Sequence, residues 1–112
     1  KTASLKAIVA AKNEAEMRKF VKALRSEDLK DALLSAAKTG DINCVLPRTG
    51  GRPLHEAVKA GNVEMVVQLI SAGAKIDTTD NYNETPLDCA KGLGDKQMEK
   101  VLLKESSKKK TG

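Results

Sequence analysis

Apolar residues along this chain recur at helical spacing, in short stretches separated by glycine, asparagine and serine. Leu5, Ile8 and Val9 share one face of residues 3–11, and Met17, Phe20, Val21 and Leu24 share one face of 14–24. Asn13, with Glu16 three residues on, is placed to cap the second of these helices, and Ser26 opens another over 27–37. Pro53 starts a short helix over 53–60, because a missing N–H is no loss in the first helical turn. Val63, Val66, Val67, Leu69 and Ile70 then form a broad apolar stripe over 63–72. The pattern predicts an all-α protein.

The pattern also repeats. Pro53-Leu54 returns as Pro86-Leu87 after 33 residues, and the same step relates Ala57 to Ala90, Gly61 to Gly94, Met65 to Met98 and Leu69 to Leu102. Ile70 is answered by Leu103, and Gly50 by Asn83. Each unit reads as a turn, a short inner helix, a glycine stop and an amphipathic outer helix. Ala57 and Ala90 let a neighbouring helix approach closely, and Asn83 can adopt the left-handed conformation for which Gly50 serves in the other unit. Neither helix pair can bury its stripe alone, so stability depends on stacking, and the same array supplies any binding surface.

The segment Gly51-Arg-Pro-Leu-His-Glu-Ala-Val-Lys-Ala-Gly-Asn-Val-Glu-Met-Val-Val-Gln-Leu-Ile-Ser-Ala-Gly-Ala-Lys-Ile-Asp77 closely resembles an ankyrin repeat. Asp80-Asn-Tyr-Asn-Glu-Thr-Pro-Leu-Asp88 resembles the start of a second, and residues 94–103 resemble a C-terminal cap, with Glu99 and Lys100 where Val66 and Val67 stand one unit earlier. The resemblance covers about residues 40–104. It implies an ankyrin-type helix-turn-helix repeat solenoid with two recognisable repeats, 44–79 and 80–105, behind a divergent N-terminal helical repeat or cap, 1–43, and ahead of a basic flexible tail, 106–112. The family's usual Thr-Pro-Leu-His is split between the units: Arg52 replaces the threonine in one and Asp88 the histidine in the other, so each turn is expected to lack part of its hydrogen-bond network. Leu33-Leu34-Ser-Ala-Ala-Lys-Thr-Gly-Asp41 resembles both the opening helix of a capping repeat and the outer-helix ending Leu69-Ile70-Ser-Ala-Gly73. From Gly40 to Gly50 there is no room for an outer helix plus a hairpin loop, so 27–37 is expected in the outer row, with 14–24 as its inner partner and Ile42-Asn43 matching Ile76-Asp77. Residues 3–11 are either a further outer helix or a helical lead-in.

Composition narrows the picture further. Phe20 and Tyr82 are the two aromatic residues, so the core must be aliphatic. A net charge of +5 and a pI near 9.3 raise the question of nucleic acid. The charge is uneven: residues 1–38 hold nine Lys/Arg against five Asp/Glu, residues 95–112 six against three, and residues 39–94 five against seven. The basic excess lies in the flanks. No apolar run approaches the roughly 20 residues needed to cross a bilayer, and the N-terminus lacks a secretory apolar core. Since residue 1 is not Met, a fragment of a larger chain is expected. A single cysteine pair, Cys44 and Cys89, without a secretion signal points to reduced thiols and an intracellular protein, cytoplasmic or nuclear.

An enzyme needs convergent groups, and one histidine, one tyrosine and two separated cysteines do not supply them. His55 sits where the ankyrin-like unit carries a structural histidine, and the resemblance implies a hydrogen-bonded role for it. Cys44, His55 and Cys89 lack the paired spacing of a zinc motif, and Gly92-Leu-Gly94 lacks the strand and lysine of a phosphate loop. No catalytic residue, metal ligand or cofactor is therefore expected.

The family resemblance implies binding to another protein, a peptide segment or a folded domain, on a concave face made of hairpin tips and inner helices, by a monomeric scaffold or adaptor. Carried onto this chain, the contact positions are Arg48, Thr49, Gly51, Arg52, Lys59 and Ala60 in the first unit. In the second they are Asn81, Tyr82, Glu84, Gly92 and Leu93. Tyr82 is either a rigid amphipathic anchor or a packing residue of the neighbouring hairpin, and Arg52 either a partner contact or a donor to its own turn. The competing reading is a binder of nucleic acid or acidic surfaces through the flanks, with Lys108, Lys109 and Lys110 foremost; the absence of stacking aromatics weighs against it.

Overall fold

A computed structural model describes residues 4–46 and 50–110, with side chains up to Glu105. The described residues form seven helices: α1 Leu5–Ala10, α2 Glu14–Val21, α3 Glu27–Thr39, α4 Pro53–Lys59, α5 Val63–Ser71, α6 Pro86–Leu93 and α7 Lys96–Lys110. Their starts follow from short polar side chains that satisfy the first free N–H groups. Asn13 Oδ1 accepts Glu16 N–H at 3.1 Å, Ser26 Oγ accepts Leu29 N–H at 3.2 Å, and Asn62 Oδ1 accepts Met65 N–H at 3.1 Å. At α6 the cap is reciprocal: Thr85 Oγ1 accepts Asp88 N–H at 3.2 Å while Asp88 Oδ2 accepts Thr85 N–H at 3.1 Å. Asp88 thus takes over the N–H-accepting part of the missing histidine's role and closes its own turn, while a carboxylate has no N–H to donate to a further one. At α4 the side-chain cap is absent, and His55 Nδ1 accepts the Arg52 N–H at 3.3 Å instead. The α7 helix runs on through Lys110, past residue 106 where a tail is expected, in a stretch of lysine and serine free of glycine and proline.

The helices stack in two rows. In the inner row α3 packs on α4 and α4 on α6; behind it α5 packs on α7, and α1 lies against both α3 and α5. This reverses the row expected for 27–37: α3 is an inner helix, and α2 packs across α3 and α1 at the end of the stack. The reason is steric. Ala32, Ala36 and Ala37 of α3 are wholly buried, so its small side chains permit the close inner-row approach that Ala57 and Ala90 permit further on. Residues 41–46 contain no helix, and α1 lines the space behind α3, burying Leu5, Ile8 and Val9. One aliphatic core results, running from Leu5 through Met17, Leu29, Leu33, Leu54, Val66 and Leu69 to Met98 and Leu102.

Asn43 joins the loop after α3 to the loop after α5. Its Nδ2 donates to Gly73 O at 3.2 Å and its Oδ1 accepts Lys75 N–H at 2.8 Å, so one amide imitates a strand's backbone pair. Asn43→Ala should cost about 1–2 kcal/mol, from two bonds left to water at a half-exposed site. Urea unfolding measures this, and a change below about 0.3 kcal/mol would mean the two loops are not coupled.

Candidate functional site

The turn 80–84 is organised by one carboxylate. Asp80 Oδ1 accepts Tyr82 N–H at 2.9 Å and Glu84 N–H at 3.0 Å, Asp80 N–H donates to Glu84 O at 3.0 Å, and Asn83 takes the left-handed conformation at φ +61°. Burial by itself would raise the Asp80 carboxyl; the two backbone donors, with His55 and Lys59 nearby, outweigh it and hold the group below its ordinary value. From the neighbouring repeat His55, fully buried, reaches Glu84 O with Nε2 at 2.9 Å. Because Nδ1 already accepts the Arg52 N–H, Nε2 carries the proton and donates. Burial lowers the imidazole's proton affinity; the Glu84 carbonyl and Asp80 oppose this without reversing it.

The turn therefore presents its outer side chains from a braced frame. Tyr82 is 76% exposed at the tip, flanked by exposed Asn81 and Glu84. Lys59 belongs to the same neighbourhood, its Nζ 4.0 Å from Asp80 Oδ2 and 4.0 Å from Glu56 Oε2. Leu93 lies at the far end of α6, 57% exposed, with exposed Gly92 before it. Of the two roles expected for Arg52, its geometry is that of a donor within its own repeat: it is half-buried, and its Nη1 donates to Asn43 O at 2.6 Å. Gly51 is buried, and Arg48 and Thr49 fall outside the described residues. Gly50 has φ +72°, a left-handed conformation that favours glycine, and lies against the Asn81 side chain, which a Cβ there would displace.

Asp80, Asn43 and the Glu84 carbonyl, which brace these turns, are not among the residues predicted for the site. An aspartate two residues before Tyr82 and four before Glu84 is an Asx-turn signal that was open to inspection. A separate groove of about 990 Å³ lies between the α2–α3 connection and the α4–α5 turn, lined by Leu24, Arg25, Leu29, Val63, Glu64 and Val67. Its lining carries no histidine or cysteine to act as base or nucleophile.

A family model described as ankyrin repeats in three copies matches residues 7–111. Cyclin-dependent kinase inhibitor 2A of Homo sapiens is 37% identical over 60 residues, 54% of this chain and 38% of that protein. Cyclin-dependent kinase 4 inhibitor B of Bos taurus is 34% identical over 62 residues, 55% of this chain and 47% of that protein. Potassium channel SKOR of Arabidopsis thaliana is 40% identical over 50 residues, 45% of this chain and 6% of the channel. The chain spans less than half the length of these relatives. Segments similar to this chain thus occur in proteins of unlike names.

Proposed function

Since the chain belongs to the ankyrin-repeat family, whose repeats generally mediate protein–protein interaction, we propose that it binds another protein through the 80–84 turn and the exposed ends of α4 and α6. Recognition is by surface burial, without chemistry on the ligand, in the cytoplasm or nucleus. The observation that carries this reading is Tyr82: a large amphipathic ring, 76% exposed, on a turn whose backbone Asp80 has already fixed. A pre-ordered aromatic loses little entropy when it is buried, which is what an anchor requires. Asn81, Glu84 and Lys59 provide a polar rim, and Leu93 a second apolar contact. Two of the relatives are by name inhibitors of cyclin-dependent kinases, which makes a kinase of that class the first partner to try.

The test is a nuclease-treated pull-down from cell lysate, followed by binding measurements on the captured protein and on cyclin-dependent kinase 4. Tyr82→Ala should weaken binding by about 2 kcal/mol, roughly 30-fold, and leave thermal unfolding unchanged because the ring is outside the core. Equal capture by the original chain and the variant would remove the turn from the interface.

A second reading is favoured by α7, where Lys96, Lys100 and Lys104 recur every four residues along the helix and are exposed. It assigns the basic end of the stack to nucleic acid or another acidic surface. Capture that disappears with nuclease and falls steeply with salt would select it over the turn.

A further inference from the structure

Beneath the 80–84 turn three donor groups converge. Asp80, Glu84 and Cys89 each bring one oxygen or sulfur within 4.8 Å of the other two, although the linear spacing of these residues matches no familiar metal motif. The turn itself explains only half of the Asp80 carboxylate. Oδ1 accepts two backbone N–H groups, whereas Oδ2 is buried and has no hydrogen-bond donor. The Lys59 ammonium stands 4.0 Å from it, outside hydrogen-bonding range, and lies equally far from Glu56. Asp80 as a whole is 8% exposed, so water does not readily replace the missing partner. A buried anionic oxygen with no hydrogen-bond donor, on a carboxylate that lies within 4.8 Å of a thiol and a second carboxylate, is a ligand that a metal ion can take.

We propose that Asp80 Oδ2, the Glu84 carboxylate and Cys89 Sγ bind a single divalent transition-metal ion of borderline softness, zinc being the class that the donors suit. One sulfur with two oxygens disfavours magnesium and calcium, which take all-oxygen shells. Zinc bonds of about 2.0–2.3 Å in tetrahedral array set neighbouring donors roughly 3.3–3.8 Å apart. Cys89 Sγ and Glu84 Oε1 already stand at 3.8 Å, and Glu84 is exposed, so its side chain is free to close the remaining distance. Three protein ligands leave the fourth position to water. Without an ion, burial together with Asp80 and Glu84 pushes the Cys89 thiol up to about 11, and it stays protonated. On binding, the S–H bond breaks, the proton leaves to solvent, an S–metal bond forms, and Lys59 withdraws from Asp80 towards Glu56.

Cobalt is the probe, because a thiolate bound to it absorbs in the near ultraviolet. The reduced, metal-free chain titrated with Co²⁺ should develop a thiolate-to-cobalt charge-transfer band that saturates at one equivalent and is displaced by Zn²⁺. Cys89→Ala should abolish the band, and Cys44→Ala should leave it intact. Asp80→Asn retains an oxygen for the turn yet loses the anionic ligand, and it should weaken binding by more than about tenfold, the scale on which even supporting groups act. Circular dichroism on each variant separates ligand loss from unfolding. A chain that shows no charge-transfer band at millimolar cobalt, or one whose band survives Cys89→Ala, overturns the site.

Discussion

Replacing His55 by alanine should lower the unfolding free energy by about 3 kcal/mol, with a fall in Tm on the order of 10 °C. The ring is fully buried between two repeats, and both nitrogens are engaged: Nδ1 with the Arg52 N–H of its own turn, Nε2–H with Glu84 O of the next. Truncation leaves the Arg52 N–H without its acceptor, takes from Glu84 O one of its two donors, and opens a cavity between α4 and the 80–84 turn. Arg52 lacks a capping hydroxyl, so its N–H depends on the His55 ring for an acceptor. Urea unfolding of the two chains in the presence of a chelator makes the comparison, and a loss under about 1 kcal/mol would mean that the ring does not join the repeats. The pH dependence has a definite sign. Burial holds the folded imidazole below its ordinary value of 6.5, against the pull of the Glu84 carbonyl and Asp80 and with the help of Lys59 and Arg52. On acidification the unfolded chain takes the proton first. The His55 contribution is therefore complete above pH 6.5 and declines as pH falls from there towards the folded pKa. His55→Ala should flatten that part of the curve.

The repeats themselves were legible because their determinants are local. Proline at the first helical position, Asn62 and Thr85 as caps, and the 33-residue recurrence are written in neighbouring residues. The row of α3 is not fixed by loop length, since the short Gly40–Gly50 connection points to the outer row and the helix lies in the inner one. A better guide was present: Ala36 precedes Gly40 by four residues, as Ala57 precedes Gly61 and Ala90 precedes Gly94, and that shared step marks all three inner helices. The position of α1 against α5 could not be read in the same way, because a stripe of Leu5, Ile8 and Val9 says that a face is buried and not against what. The same applies to the site. Tyr82 was recognisable as an exposed aromatic, while the brace under it depends on a carbonyl, Glu84 O, which has no residue-type signature.

Leu33→Ala should be the most damaging substitution in the stack, costing about 3–4 kcal/mol out of the 5–15 kcal/mol typical of a domain. Leu33 is fully buried in α3, the helix that touches α1, α2 and α4. In a linear array a break at this position would separate two blocks, and α1 to α3 would melt ahead of α4 to α7. The fold is not strictly linear, because α1 reaches past α3 to pack on α5 and so fastens the N-terminal block to the outer row of the next repeat. That contact couples the blocks. The Leu33→Ala chain should therefore still unfold in one transition, shifted to lower urea, with circular dichroism and Tyr82 fluorescence coinciding. Two separated transitions would show that the α1–α5 contact is too weak to hold the blocks together. In that case removing buried volume from α1, with Val9→Ala, should leave the second transition unmoved.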